Sequence, residues 1–387
     1  IIEEDGSFKM IEYDGYLDRS RLGPGVFSRG SLYSKRFFSD FQKVLVKNAK
    51  NNLNTLAVNY QFTHEYKKIE YNDEMNNKIF GEVYEIDVVS DQSRFIEQEN
   101  KIILSSDLNK LGLFNLSYSI STWKNNFKIY YEEDSNNLIS KIHEDQSNIK
   151  LNWLKKIDLF NFEFNLNKSS KDDFKLDYIS FKINGSPLRN FDFELNSSVI
   201  QKSPNFNFKF FRSAYKSYNW YNNELNNEKI SNINLKLSYK ELVELTGDYN
   251  IIDNYTFFRE STNALTGETD LKRLALVNQA NNQIKYYSFK LFSKIDIGKF
   301  SLVNTAKYQQ KEQEVSPGNL STLNVPEWIT RNTLMYSTNI FNNSLFIQTG
   351  LTFNYFTKYF ADHYNPLISE FVTQNYREIG DFPRFDF

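Results

Sequence analysis

Asn161-Phe162-Glu163-Phe164-Asn165-Leu166-Asn167 alternates strictly between polar and apolar residues, and this alternation decides the fold. Because successive side chains of a β-strand point to opposite faces of a sheet, the segment predicts a strand with one apolar and one polar face. In a soluble sandwich the apolar faces pair inside. In a transmembrane barrel they point outward into lipid, and the polar faces line a lumen.

The composition favours a β-rich chain and excludes several classes of protein. The 387 residues include 35 Phe, 25 Tyr and no Cys, and aromatic residues suit pleated sheets. No stretch approaches the ~18 uninterrupted apolar residues of a membrane-spanning helix, whereas a barrel needs an apolar residue only at every second position. The net charge of −2 argues against nucleic-acid binding, and the lack of Cys excludes disulfides and thiolate metal sites.

The links between the alternating segments are themselves alternately short and long. Short turns are predicted at residues 109–110, 155–156, 184–187, 297–299 and 342–343. Long polar links are predicted at residues 66–78, 132–147, 213–230, 253–283 and 309–328. Outer-membrane barrels combine short periplasmic turns with long outer loops, and a soluble sandwich has no reason to keep this order.

Segment length points to the same class. Residues 111–123, 187–200 and 344–356 each alternate over about a dozen positions, close to the ~9–11 residues of a tilted transmembrane strand and above the ~5–6 of a globular strand. At roughly 22 residues per strand and link, the chain predicts an all-β, antiparallel up-and-down transmembrane β-barrel of about 16–18 strands. Residues 1–30 are predicted to be an irregular N-terminal segment, plug-like or periplasmic, before a barrel at 31–387.

The polar rows predict the lumen surface and the apolar rows the lipid surface. A Lys on the lipid face would cost about 2–4 kcal/mol at the bilayer midplane, so the charged rows are expected to face inward. The lumen-facing candidates are Lys101, Lys150, Glu163, Asp192, Glu194, Lys209, Lys236, Lys290 and Lys307. The lipid-facing candidates are Phe114, Leu116, Tyr118, Phe162, Phe164, Leu166, Phe193, Leu195, Leu351 and Phe353. Because the lumen charges have mixed signs, plain hydration of a wide lumen is favoured over ion selectivity.

The alternation of Phe206, Phe208 and Phe210 predicts that Lys209 also lies in a strand.

Aromatic residues at the predicted strand ends indicate an interfacial girdle, in which amphipathic rings lie at the level of the lipid headgroups. The girdle candidates are Trp123, Tyr130, Trp220, Tyr355 and Tyr359. Ordinary sheet packing is the alternative, and Tyr218-Asn219-Trp220-Tyr221 could instead stack on a sugar.

Residues that could carry out catalysis or bind a metal form no recognisable motif. His64, His143 and His363 are far apart in the sequence, and HExxH, P-loop and GxSxG motifs do not occur. We therefore predict no enzyme activity, no cofactor and no metal site. A barrel hydrolase would need a Ser–His pair on neighbouring strands, and His64 would be its candidate base.

Several stretches of the C-terminal third resemble a known family. They are Val325-Pro326-Glu327-Trp328, the predicted hairpin 330–355, Tyr359-Phe360-Ala361-Asp362-His363-Tyr364-Asn365-Pro366 and Ile379-Gly380-Asp381-Phe382-Pro383. Together they are similar to the family of putative porins in the outer membranes of Bacteroidota. The resemblance implies the outer membrane of a Gram-negative bacterium as location, and further strands after Phe387.

The functional expectation is a porin-like barrel that allows passive diffusion of small polar solutes. The alternative is a non-conducting barrel, serving as accessory or scaffold subunit of a larger outer-membrane secretion or nutrient-uptake complex. Outer-membrane lipid is the expected partner; other outer-membrane subunits or further copies of the chain stay open, and nucleic acid is excluded. A soluble β-rich adhesin or solenoid would need short internal repeats, which the sequence does not show.

Overall fold

The computed structural model describes residues 28–48, 53–73, 80–84, 88–108, 110–128, 140–261, 274–314 and 322–387. Within these ranges the chain is almost entirely β-structure, with a single helix of four residues. No described helix has the length and apolar character needed to span a membrane. The predicted N-terminal segment 1–30 lies outside the described residues, apart from the last three, which begin the first strand.

The described residues contain 23 strands and the helix α1, Phe206–Lys209. In chain order the strands are β1 (Ser28–Asn48), β2 (Leu53–Asp73), β3 (Val89–Leu108), β4 (Gly112–Phe127), β5 (Lys141–Ile157), β6 (Phe160–Ser169), β7 (Leu176–Leu188), β8 (Phe191–Lys202), β9 (Phe210–Phe211), β10 (Trp220–Tyr221), β11 (Glu228–Tyr239), β12 (Val243–Asp253), β13 (Thr256–Glu260), β14 (Ala275–Gln279), β15 (Ile284–Ile297), β16 (Phe300–Gln313), β17 (Trp328–Ile340), β18 (Leu345–Phe356), β19 (Tyr359–Phe360), β20 (His363–Asn365), β21 (Glu370–Thr373), β22 (Glu378–Ile379) and β23 (Arg384–Asp386).

Fifteen of these strands form one antiparallel sheet, in the order β1–β8, β11, β12, β15–β18 and β23. Each strand pairs with the sheet strand that follows it in the chain, so the predicted up-and-down, antiparallel order is confirmed. Apart from the three-residue β23, these strands run from 10 to 21 residues. The described sheet thus has fifteen strands, one fewer than the lower end of the predicted range of 16–18.

The links between the sheet strands alternate in length, as the sequence predicts. The described short turns include residues 158–159, 189–190, 240–242 and 298–299. The long links between described strands include residues 203–227, 254–283, 314–327 and 357–383. Because the strands are antiparallel, all long links emerge at one end of the sheet and all short turns at the other.

The turn predicted at residues 155–156 lies further along the chain. β5 continues to Ile157, and the chain reverses at residues 158–159. Asp158 has a left-handed φ of 49°, which Asp tolerates better than most residues because its short side chain can hydrogen-bond locally. Lys155 and Lys156 therefore belong to the end of strand β5 and not to the turn.

The turn predicted at residues 184–187 is also part of a strand, β7. The reversal follows at residues 189–190, where Asn190 has a left-handed φ of 63°. Gly185 is needed for a different reason, because a Cβ at this position would collide with the backbone oxygen of Leu159 in the adjacent turn. Gly within a strand often marks such a close approach of two backbones.

The strand predicted from the alternation of Phe206, Phe208 and Phe210 is wrong. Residues 206–209 form α1, and Phe210 begins β9, whose one partner among the described strands is β10. Phe210 is fully buried and its ring lies 5.0 Å from that of Phe127. The three rings therefore belong to a buried cluster and not to a membrane face, a long-range effect that local alternation does not report.

The largest buried apolar cluster lies at the end of the sheet where the long links emerge. It joins strand ends, such as Tyr71 of β2 and Phe127 of β4, to residues of the links, such as Tyr215 and Phe258. Within the links, β14, β13, β21 and β20 form a four-stranded sheet of their own, and Val372 of β21 is part of the cluster. We refer to residues 80–84, 203–227, 254–261, 274–283 and 361–375 as the loop cap.

Candidate permeation surface and loop cap

The registers of the fifteen-stranded sheet place its polar rows on one surface, which we call the polar face. On β4, Ser117 and Ser119 lie opposite Lys150 and Asn148 of β5. The same pairing continues from strand to strand across the sheet. Polar side chains are bonded along this face; Asn152, for example, bridges Asn115 at 3.0 Å and Asn165 at 2.8 Å.

Eight of the nine lumen-facing candidates lie on the polar face. They are Lys101, Lys150, Glu163, Asp192, Glu194, Lys236, Lys290 and Lys307. The prediction for Lys209 is wrong, because this residue ends α1 in a link and belongs to no sheet strand. Its ammonium donates to the backbone oxygen of Asp173 at 2.5 Å and to Oγ of Ser203 at 3.1 Å, and burial lowers the pKa of Lys209.

The ten lipid-facing candidates share the opposite surface, which we call the apolar face. They are Phe114, Leu116, Tyr118, Phe162, Phe164, Leu166, Phe193, Leu195, Leu351 and Phe353. On β4, Leu116 and Tyr118 are 49% and 46% exposed, whereas Ser117 between them is 6% exposed. Large apolar side chains therefore stand outside while small polar ones are covered, the reverse of a soluble sheet.

Ion pairs cross the polar face on neighbouring strands. Lys182 of β7 lies 2.9 Å from Glu194 of β8, and Lys236 of β11 lies 2.8 Å from Glu244 of β12. Near the short turns, a cavity of about 450 Å³ is lined by residues that include Asn161, Glu194 and Lys236. This part of the polar face therefore offers hydrogen-bonding groups and charges of both signs to anything that enters.

The girdle prediction fails for Trp123 and Trp220. Trp123 lies on the polar face, since it pairs with Glu97 and Glu144, and it packs edge-on against Phe174 at 4.7 Å. Trp220 lies in the loop cap, where its ring stacks on Phe211 at 5.1 Å. Alternation at a strand end cannot report whether a neighbouring link folds back over the strand.

The remaining girdle candidates are distributed differently. Tyr355 is the last residue but one of β18 and lies on the apolar face; its hydroxyl donates to Oδ1 of Asp381 at 2.8 Å. Tyr359 begins β19, and its ring lies 6.0 Å from that of Phe356. Tyr130 lies outside the described residues. A membrane-interface position stays a prediction for Tyr355 and Tyr359.

Buried hydrogen bonds fasten the loop cap to the strand ends. Tyr215 donates to Oδ2 of Asp73 at 2.7 Å, and the backbone N–H of Ala214 donates to Oδ1 of Asp91 at 2.8 Å. Both carboxylates are nearly inaccessible to water. Burial and the neighbouring carboxylate of Asp73 raise the pKa of the Tyr215 phenol, so the phenol keeps its proton and stays a donor.

The loop cap also contacts the opposite part of the sheet. Phe257 of β13 shares a buried apolar cluster with Ile284 of β15, and Ile252 of β12 packs against this cluster. Both Ile residues lie on the polar face. Farther along, Asn324 in the link after β16 donates to Oδ1 of Asp362 at 3.4 Å and to the backbone oxygen of Gln374 at 3.2 Å. The loop cap therefore bridges from β2–β5 to β12–β15 and to the link after β16, over the polar face at the long-link end.

Two carboxyl groups in the cap are shielded from water. Burial raises the pKa of Asp362 and that of Glu370. Hydrogen bonds from Asn324 to Asp362 and from Asn207 to Glu370, the latter 2.9 Å long, offset part of this effect. We therefore expect the packing of the cap to depend on pH.

The three His residues are dispersed in the structure as in the sequence. His64 contacts Gln98 at 3.1 Å, His143 lies 3.8 Å from Asp145, and His363 lies 3.4 Å from Glu260. Within the described part of the chain, no group of three His, Asp or Glu side chains is placed to hold a metal ion.

Local sequence patterns did not reveal the residues that build the loop cap. Phe80, Tyr218 and Val372 come from three different links and pack in one cluster. A signal was present in the sequence, because the link that contains Tyr215 and Tyr218 is unusually aromatic for a polar loop. Aromatic residues bury large areas, so such a link is more typical of a packed element than of a solvated loop.

Comparisons with known proteins agree with this architecture. The model of the family described as "Putative porin" matches residues 18–387. Among solved structures, the copper transporter OprC matches with a TM-score of 0.59 at 10% identity, over 93% of this chain and 59% of its own. The siderophore receptor PirA from Acinetobacter baumannii gives 0.52 at 14% identity, over 79% of this chain and 50% of its own. The FrpB iron transporter from Neisseria meningitidis gives 0.51 at 12% identity, over 85% of this chain and 58% of its own. No curated protein sequence matches the chain.

The chain thus spans between 50% and 59% of the length of these structures, and at these identities the likeness concerns the fold. An up-and-down sheet with an exposed apolar face and a covered polar face defines the class as an outer-membrane β-barrel. The family match over nearly the whole length shows that the chain belongs to the putative porin family. The predicted family and the outer membrane of a Gram-negative bacterium as location are confirmed; Bacteroidota as the source stays a prediction.

Proposed function

We propose that the protein is a non-enzymatic transport barrel through which small polar solutes diffuse passively along the polar face. The supporting observation is the separation of the two faces: ionised and amide side chains cover one, and exposed Phe and Leu side chains cover the other. Acyl chains would contact the apolar face, and water inside the barrel would hydrate the charged rows.

The loop cap would narrow the long-link end of this path. Its core is packed like a protein interior, with Phe80 edge-on to Tyr215 at 5.4 Å and Phe208 against Phe258 at 4.6 Å. A packed cap of this kind restricts entry by size, because its side chains cannot move aside independently. We therefore expect small sugars and amino acids to pass faster than oligosaccharides.

The test is a recording of single-channel currents from purified full-length protein in planar lipid bilayers. A conducting barrel gives discrete current steps, and liposomes that contain the protein swell faster in small sugars than in large ones. Properly folded protein that produces neither steps nor swelling would contradict passive diffusion. Folding is checked independently by the heat-dependent shift of the barrel in gel electrophoresis.

A non-conducting scaffold is the second candidate, and the extent of the loop cap favours it. The cap contacts both β2–β5 and β12–β15 through buried residues, so a cap that never opens would close the interior. Such a barrel gives no current steps, and a variant with a loosened cap, Tyr215→Phe, would give them.

The hydrolase hypothesis is tested separately, by measuring lipid hydrolysis by the wild type and by the variant His64→Ala. We expect neither of these two proteins to cleave lipid.

A further inference from the structure

The polar face changes character between β12 and β15. On the polar face of β6–β12, each of the three Lys residues lies within ion-pair distance of a Glu: Lys182–Glu194 at 2.9 Å, Lys202–Glu228 at 3.4 Å and Lys236–Glu244 at 2.8 Å. On the polar face of β15–β17 the charged residues are Lys290, Lys294, Asp296, Lys307, Lys311 and Arg331. Five of these six side chains are cationic, so this part of the face has a strong positive excess.

Three of the cations meet although they are far apart in the sequence. Lys290 of β15 lies directly opposite Lys307 of β16. Arg331 of β17 lies opposite Thr305, which makes it the diagonal neighbour of Lys307. Cβ atoms of directly opposite residues are about 4.5–5.5 Å apart and diagonal ones about 7–8 Å. We call Lys290, Lys307 and Arg331 the basic strip.

Within the described part of the chain, no protein group pairs with the charges of the basic strip. None of the three side chains makes a hydrogen bond or an ion pair with any described residue. The ammonium group of Lys307 lies over the ring of Tyr286, 5.8 Å from the ring centre. Two carboxylates on the adjoining strand β12 lie diagonal to Lys290. Glu244 is already paired with Lys236 at 2.8 Å, and the other is Asp248. That carboxylate already accepts hydrogen bonds from Asn234 at 2.6 Å and Ser288 at 3.3 Å.

The other charges of this surface are engaged elsewhere. Lys294 lies 3.8 Å from Asp296, and Lys311 donates to the backbone oxygen of Thr322 at 2.5 Å. Like charges directly opposite each other on a sheet repel. A small anion that entered the barrel would relieve this repulsion, whereas a cation would increase it.

We propose that the basic strip is an attractive site for small anionic solutes and gives the barrel a preference for anions over cations. Two ammonium groups and one guanidinium match a carboxylate or phosphate, because Lys supplies point charges and Arg a planar fork of donors. Lys290 and Lys307 lie in the middle of β15 and β16, and Arg331 is the fourth residue of β17. The pairing of the three strands therefore fixes the backbone positions of the site. The inference rests on the proposed function and adds the class of solute.

The first experiment measures the reversal potential under a tenfold KCl gradient in planar bilayers. The test variant is the triple substitution Lys290→Gln, Lys307→Gln and Arg331→Gln. The control, Lys124→Gln, Lys141→Gln and Lys229→Gln, removes the same charge from exposed positions on the apolar face. We expect the wild type and the control to favour chloride, and the test variant to lower the chloride-to-potassium permeability ratio at least about twofold.

The possible outcomes separate the inference from the proposed function. Current steps that favour potassium in the wild type, or an unchanged permeability ratio in the test variant, would overturn the inference and leave passive diffusion standing. A protein without current steps contradicts passive diffusion, and binding then decides the inference. Inorganic phosphate is added to detergent-solubilised protein, and its phosphorus NMR line is expected to broaden with wild type and control but not with the test variant. Equal line widths in all three samples would overturn the inference.

Discussion

The phenol of Tyr215 donates a 2.7 Å hydrogen bond to Oδ2 of Asp73, a residue 142 positions earlier in the chain. Tyr215 lies in the link between β8 and β11, and Asp73 ends β2. Both side chains are buried, so this contact fastens the loop cap to the sheet in an environment where its loss is costly.

Tyr215→Phe should loosen the cap without unfolding the barrel. Removing one donor from a buried carboxylate costs about 1.5–3 kcal/mol. We expect amide hydrogen exchange of residues 206–221 to rise about 10- to 100-fold, while the central residues of β5–β8 keep their protection. Tyr221→Phe is the control, since this ring is 47% exposed; equal effects of the two variants would show that the hydrogen bond contributes nothing.

We expect the cap to be more stable at about pH 4, close to the unfolded pKa values of Asp and Glu, than at about pH 7. Burial raises the pKa of Asp362 and of Glu370, so the folded cap binds these protons more tightly than the unfolded segment does. The stabilisation is therefore fully present below the unfolded pKa values of ~4 and is lost as the pH rises through the folded ones.

The measurement is hydrogen exchange of residues 361–374 at both pH values, corrected for the intrinsic exchange rate. The double variant Asp362→Asn, Glu370→Gln should show a flatter dependence on pH. A cap that becomes more stable at the higher pH would contradict the assigned directions.

A charge on the apolar face should destabilise the inserted barrel. Leu195→Lys places an ammonium on the apolar face in the middle of β8, and we expect a loss of about 2–4 kcal/mol in urea titrations of protein folded into vesicles. Ser198→Lys adds the same group on the polar face of the same strand, where it stays hydrated. Comparable losses in the two variants would argue against a membrane contact for Leu195.

Gly185→Ala should weaken the hairpin of β7 and β8 at its short turn. The added methyl group would collide with the backbone oxygen of Leu159, and overpacking of this kind costs about 1–3 kcal/mol. Gly30→Ala is the control, because nothing lies within 4 Å of a Cβ built there. Urea titration in vesicles measures the difference, and equal midpoints would show that the backbone can shift at Gly185.

The sequence predicted the sheet well because each strand carries its own signal. The alternation of residues 161–167 depends only on the two faces of one strand, so β6 and its neighbours could be recognised one at a time. Turn positions were less reliable, since Lys155-Lys156 and Gly185 resemble turn residues although the strands continue past them.

The loop cap could not be derived in this way. Phe210 and Phe127 alternate with polar residues like any strand residue, yet their rings meet 5.0 Å apart in a buried cluster. The basic strip was missed for the same reason: Lys290, Lys307 and Arg331 become neighbours only once the registers of β15, β16 and β17 are known. Patterns within one segment do not report contacts between segments.

The orientation of the two faces is the claim on which the account depends, and a cysteine scan of β6 tests it directly. Since the chain has no Cys, single Cys residues can be placed at each position from 161 to 167 and spin-labelled in protein folded into vesicles. We predict that labels at 162, 164 and 166 collide mainly with oxygen dissolved in the lipid, and those at 161, 163, 165 and 167 mainly with a water-soluble nickel chelate. Accessibility with the opposite phase, or without a period of two residues, would contradict a membrane barrel with a polar interior.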